Sequence, residues 1–156
     1  MTKLSCLNRK LISAFALACV LAACASAPIQ EMSDARQALQ AAREVGASQH
    51  APRYLREAEG YLQQAETSLS EGNMGFKPAR ENAVAAKQSA ITGRTVALAI
   101  AAAKNAVAEA VAAGKLSDAT QTALREAVVA ANRGDDARAI TLANQSQALA
   151  EQDLTH

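Results

Sequence analysis

Apolar residues along this chain recur at alternating spacings of three and four, the interval that places side chains on one face of an α-helix. Met32, Ala35, Leu39 and Ala42 form the first row. Ser33 near its start and Gly46 after it predict a helix with a polar cap and a glycine stop. The second row, Leu55, Ala58, Leu62, Ala65 and Leu69, keeps a strict three-four alternation, opens at Pro52 and stops at Gly72-Asn73. Gly75 loosens the connection, and Pro78 opens a third helix expected to run unbroken to about Ala113. At about 1.5 Å per residue that rod is roughly 54 Å long. Val and Ile nowhere alternate with polar residues, so no strand is expected.

The third helix changes character along its length. Lys77 to Thr95 is amphipathic around Ala79, Ala83, Ala86 and Ala90, whereas Val96 to Ala113 is apolar on nearly every side, interrupted by Lys104, Asn105 and Glu109. Those three residues argue against a membrane span, and such a helix is normally covered by others from more than one side. Gly114-Lys115 ends it, Ser117 caps a fourth helix, and Gly134-Asp135 divides that from a fifth ending near Asp153. The short turn at Gly114-Lys115 predicts that the C-terminal pair folds back over the stripe Val96, Ile100, Ala103, Val107 and Val111, with Leu116, Leu124, Val128, Leu142 and Leu149 as the covering residues. Leu62 is expected to face Ala86. The segment from Leu124 to Ala150 weakly echoes the second and third helices, and Gly134 to Ala139 has the shape of a tetratricopeptide turn without that repeat's bulky aromatics or its sustained period. The fold expected is all-α: antiparallel helical hairpins in an elongated alanine-rich bundle around one long central helix.

Composition supports helix, because about a quarter of the residues are Ala, the best helix former. The N-terminus adds an address. Lys3, Arg9 and Lys10 precede an uncharged apolar run from Leu11 to Leu21, which matches an export signal. Pro28 and Gln30 end that run at or below the roughly 17 residues needed to span a bilayer. The run closes on Leu21-Ala22-Ala23-Cys24, the pattern by which bacterial lipoproteins mark the cysteine that receives lipid. The expected division is a lipoprotein signal over residues 1–23, a lipidated spacer over 24–31 and a helical-hairpin domain over 32–156. Ala25, where an Asp would favour inner-membrane retention, points to the outer membrane, with the anchored chain facing the periplasm.

Cleavage would remove Cys6 and Cys19 and leave Cys24 as the only mature cysteine, so no disulfide is expected and packing must hold the domain together. Without the three basic residues of the signal, the remainder carries a small acidic excess. With no Trp, two Tyr and two Phe there are too few stacking platforms for single-stranded nucleic acid, and no nucleic-acid partner is expected.

Candidate chemistry is sparse. His50, before Pro52, has no second histidine or mature cysteine with which to bind a metal, and reads as a surface or capping residue; His156 is terminal. Glu57 and Glu59, two apart on a helix, point in different directions and with Arg53 and Arg56 read as a solvated face of local ion pairs, as do Lys77 and Glu81. Asp135 and Asp136 suit a helix start and lack the further oxygen ligands calcium requires. Asn144-Gln145-Ser146 matches a glycosylation acceptor only formally, in mid-helix. Tyr54 and Tyr61 lie beside the Leu55-Leu62 seam, as core-edge packing or as an exposed partner surface. No catalytic group, metal site or cofactor is expected.

Gly46-Ala47, Ala51-Pro52, Leu55, Ala58, Leu62 and Ala65, followed after a turn by Ala79, Ala83 and Ala86, resemble the bacterial lipoproteins carrying the domain of unknown function 4398. The resemblance covers about residues 31 to 95, and the region after Lys115 falls outside it. The turn from Gly72 to Lys77 is longer than the family's usual connection. The resemblance implies an envelope lipoprotein of helical hairpins with no established activity. Two functions are expected from these readings: a lipid-tethered, non-catalytic structural or adaptor module that packs helices against an envelope protein or itself, or a tetratricopeptide-like module binding a peptide or glycan in a groove.

Overall fold

The computed structural model of this chain describes residues 26–155. The expected signal, with Leu21, Ala22 and Ala23, the expected lipid acceptor Cys24 and the terminal His156 all lie outside the described residues. Within them there are six α-helices and no strand: α1 Ile29–Glu44, α2 Ala47–His50, α3 Pro52–Leu69, α4 Phe76–Ala112, α5 Asp118–Arg133 and α6 Asp136–Thr155, with a 3-10 turn at Gly72–Gly75 between α3 and α4.

The organising element is α4, 37 residues long and unbroken. Its alanine row Ala79, Ala83, Ala86 and Ala90 is buried, and the row continues through Gly93, Val96, Ala97, Ile100 and Ala103 to Ala110. Small side chains let neighbouring backbones approach closely, so α4 carries helices along most of its length. Near its start, Arg80 pairs with Glu31 of α1 at 2.7 Å and Lys87 with Asp34 at 2.8 Å. Across the other flank of α1, Arg36 meets Glu66 of α3 at 2.8 Å and Arg43 meets Glu59 at 2.7 Å. These pairs are half exposed, so they mark register more than they stabilise it. The apolar layer beneath them joins Met32, Ala35, Ala65, Ala83 and Ala86, with Leu62 packed against it. The expected Leu62–Ala86 neighbourhood is present.

Further along α4, Val96, Ala97, Ile100 and Ala103 share one core with Ala127, Ala130 and Ala131 of α5 and Ala139 and Ala143 of α6. Leu124, Val128 and Leu142 pack against that core as expected. Leu116 and Leu149 are partly exposed outside it, and Val111 is exposed, because the buried line leaves Ala103 for Ala110 and follows the row nearest its neighbours. By length and composition α4 could cross a bilayer. Its neighbours, however, carry Arg36, Arg43, Glu59, Glu66, Glu126 and Arg138 on their outer surfaces, which would be costly inside hydrocarbon.

Helix boundaries differ from expectation in three places. The first helix starts at Ile29, not at a Ser33 cap, so the expected spacer's last residues are helical. Pro28 is buried, Met32 N donates to its carbonyl at 3.0 Å, and the Arg80–Glu31 pair holds this first turn on α4. Ser33 instead accepts from Gln37 Nε2 on the helix surface. A short helix, α2, fills the interval before Pro52. The long helix opens at Phe76, with Pro78 inside its first turn, where the missing amide is no loss. Ser117 caps α5 as expected, accepting from Thr120 N at 3.3 Å. Gly114 and Gly134 take φ of 70° and 86° where α4 and α5 end, a left-handed conformation that glycine adopts without steric cost.

Candidate functional site

The surfaces that could act are built from three regions: the junction where α2 and α3 meet the α5–α6 turn, the far end where α5 begins, and the outward face of α4.

At the junction, α3 starts with Pro52, which directs Tyr54 inward. Tyr54 is only 6% exposed and packs against Gly93 of α4, where an added methyl would come within 2.8 Å of the tyrosine Cβ. Its hydroxyl is buried without a hydrogen-bond partner among the described residues, and burial, reinforced by the charge of Asp136, pushes its pKa up. Tyr61 lies on the surface of the same helix. The expected two-tyrosine partner surface is therefore divided. Seven residues keep both rings on nearly one helix face, but Gly93 and the α5–α6 turn cover only the first. Gly93 itself was readable in principle, as a lone glycine inside an alanine-rich helix.

Arg53 pairs with Glu57 at 2.8 Å, and its guanidinium also donates to the carbonyl of Arg133, lying over Gly134 where no side chain would fit. The junction between α3 and α5 is thus closed by one arginine. Glu59 does not join this local set; it crosses to Arg43 of α1. Lys77 and Glu81 form their expected i,i+4 pair at 3.9 Å. His50 ends α2 with its Nδ1 3.3 Å from Lys104 Nζ, and burial together with that positive charge holds its pKa below the usual imidazole range. Asp135 accepts from Arg138 N at 3.2 Å, the capping role expected of it. Among the described residues, no three His, Cys, Asp or Glu side chains gather as a metal site would require.

At the far end lies a polar cluster that sequence reading missed. Thr120 is fully buried; its Oγ1 donates to Asp153 at 2.7 Å, and the same carboxylate accepts from Ser117 N at 3.0 Å. Ser146 is buried as well and donates to the Thr120 carbonyl at 3.0 Å, so the formal glycosylation motif is a packing position. These hydrogen bonds join the start of α5 to α6, which makes the cluster a clamp between two helices. At the other end of this hairpin, by the α5–α6 turn, a cleft of about 330 Å³ opens between α5 and α6, lined by Arg125, Glu126, Val129, Arg133, Asp135 and Arg138. Glu126 and Asp135 oppose its three guanidinium groups, with Arg138 3.7 Å from Glu126.

The outward face of α4 is different in kind. Val84, Ile91 and Leu98 are 53%, 43% and 47% exposed. They fall seven residues apart, the spacing that keeps knobs on one side of a helix, with exposed Gln88 and Thr95 between them. The internal cover expected for Val96 to Ala113 leaves Leu98 exposed, and Val84 and Ile91 lie in the half expected to be amphipathic; the period of seven that joins the three is obscured in the sequence by the denser alanine rows.

Residues 30–115 match the family model described as a domain of unknown function, DUF4398, a match that ends three residues past the last residue of α4, Ala112. No curated protein and no solved structure matches the chain.

Proposed function

Because this chain belongs to the DUF4398 family, described as a domain of unknown function, its role has to be read from its own surfaces, and we propose that it is a non-catalytic, lipid-anchored envelope protein that docks another helix along α4. In this reading α3 with α4, and α5 with α6, are antiparallel hairpins on one long rod. Export follows the N-terminal signal, Cys24 carries the lipid, and the chain stands on the periplasmic side of the outer membrane. The observation that carries the docking role is the stripe of Val84, Ile91 and Leu98. Three large apolar side chains on one helix face are what a second helix needs to pack against, and the described residues leave each of them about half exposed. The groove-binding alternative loses its aromatic lining, since Tyr54 is in the core, and the α5–α6 cleft already opposes its own arginines with Glu126 and Asp135.

Crosslinking in intact cells, followed by mass spectrometry, tests the docking. Amine-reactive products at Lys87, beside the stripe, should be strong in the unaltered protein and lost in the Ile91→Glu/Leu98→Glu variant, whose helicity should be unchanged because both positions face outward. An unchanged crosslink pattern in a folded variant would remove α4 as the docking face. Cys24→Ala tests the anchor separately: the variant, exported or stalled, should carry no lipid, and release of the unaltered protein from the membrane fraction without detergent would defeat the lipid reading.

A further inference from the structure

The chain reaches the helical domain at one end of α4, and it is pinned there. Arg80 Nη2 donates to the Ser26 carbonyl at 3.0 Å while its Nε holds Glu31 at 2.7 Å, and Pro28 is buried. Ser26 is therefore fixed to the first turns of α4. The same end carries two of the most exposed apolar side chains of the described residues: Ile29, the first residue of α1, is 72% exposed, and Met74, in the turn before α4, is 88% exposed. Neither packs in a core cluster. The turn that presents Met74 has little freedom to retract it, because Gly75 sits where a methyl would meet the Ser68 carbonyl. Charges around them are of both signs, Glu71, Lys77, Arg80, Glu31 and Glu81, with Lys77–Glu81 and Arg80–Glu31 paired. The apolar tips, and not a net charge, distinguish this end.

We infer that this end of the molecule rests in the surface of the lipid bilayer, with Ile29 and Met74 inserted among the headgroups and α4 rising away from the membrane. The inference rests on the lipidation of Cys24 proposed above. Ser26 follows Cys24 by two residue steps, with only Ala25 between them, and at about 3.3–3.6 Å per step these span no more than roughly 7 Å. A lipid on Cys24 therefore leaves no room for the pinned end to stand clear of the surface. Apolar side chains held there gain by entering the boundary between headgroups and acyl chains, about 5–10 Å deep. The tether and the apolar tips then act together: the lipid supplies attachment, and Ile29 and Met74 supply orientation, which stands the stripe of Val84, Ile91 and Leu98 off the membrane instead of laying it flat.

The chain contains no Trp, so a single introduced indole reports depth without background. The full chain, carrying either Met74→Trp or Val111→Trp, would be purified in detergent from bacterial membranes and reconstituted into vesicles of phosphatidylethanolamine and phosphatidylglycerol with brominated acyl chains. Val111 is exposed at the opposite end of α4 and serves as the reference. Circular dichroism confirms that each variant keeps its helix content. The expected result is that the protein floats with the vesicles, that the Met74→Trp signal loses about half its intensity to bromine, and that the Val111→Trp signal is unaffected. Flotation with neither signal quenched would overturn the insertion while leaving the anchor standing. Flotation with both quenched alike would show a molecule lying flat and overturn the orientation. Failure to float would overturn the lipidation reading and this inference with it.

Discussion

Gly60 and Gly93 lie in the interiors of neighbouring helices and meet opposite surroundings. A methyl added at Gly60 of α3 would touch nothing within 4 Å, whereas at Gly93 of α4 it would come within 2.8 Å of the Tyr54 Cβ. Gly60→Ala should therefore raise stability by about 0.5–1 kcal/mol through reduced backbone freedom. Gly93→Ala gains the same propensity but forces two helices apart, and should lose about 1–2 kcal/mol net. Denaturant midpoints of the two variants check this, and equal shifts in the same direction would show that α3 and α4 do not approach at Tyr54. His50 makes a second prediction at this scale. Its imidazole is desolvated and faces the Lys104 ammonium, so its folded pKa lies below the unfolded one. As pH falls below roughly 6.5, the ordinary imidazole value, the unfolded chain takes up the proton first, and stability drops until the folded value is passed. Melting temperature should fall over that window in the unaltered protein and stay flatter in His50→Gln; parallel curves would mean His50 is not the group responsible.

The helices form where hydrophobic spacing and terminal residues agree, and they pack through alanine. Ala79, Ala83, Ala86 and Ala90 are buried to within 2% exposure or less, so each is a place where a larger side chain has nowhere to go. Ala86→Leu should cost about 1–3 kcal/mol by overpacking. Leu62, across from it, is only partly buried and touches both core clusters, so Leu62→Ala should cost about 2 kcal/mol, the low end for a leucine truncation. Chemical unfolding curves measure both, and a Leu62→Ala loss of about 4–5 kcal/mol, the cost of truncating a fully buried leucine, would place it deeper than it lies here. The existence of α1, α3, α4, α5 and α6 was legible in the sequence because their apolar rows are long. The starts of α1 and α4 were less so, because Arg80 holding Glu31 and Ser26 extends α1 toward Pro28, a contact between residues about fifty positions apart.

Two groups of helices share one rod, and each completes the other's core. Val96 and Ile100 of α4 are fully buried in a cluster that includes residues of α3, α5 and α6. A shortened protein spanning residues 25–113 lacks α5 and α6 and should expose Val96 and Ile100 to water. It should self-associate or precipitate, while residues 25–156 remain monodisperse unless their α4 stripe pairs. Light scattering distinguishes these outcomes, and a monomeric, fully helical 25–113 protein would show that the C-terminal helices are not needed to close the core. The family match ends at residue 115, so the two helices that cover this core lie beyond the matched region.

Periodicity, alanine content and turn residues by themselves determined that this chain is helical, where most of its helices stop and which rows face inward, because those are consequences of local geometry repeated every three or four residues. Glycine at 46, 72, 114 and 134 was read as a boundary from sequence alone, and each takes positive φ in the structure. What periodicity could not decide is which inward-facing row has a neighbour. Tyr54 and Tyr61 have the same spacing relation to the seam, yet Gly93 admits only the first into the core. Thr120, Ser146 and Asp153 read as ordinary helix residues until α5 and α6 bring them within hydrogen-bonding distance. Leu98 lies in the stretch expected to be covered, and Val84 and Ile91 were assigned no face; the arrangement of the other helices leaves all three substantially exposed. Coverage depends on residues far away along the chain, and only the tertiary packing brings those residues to a given face.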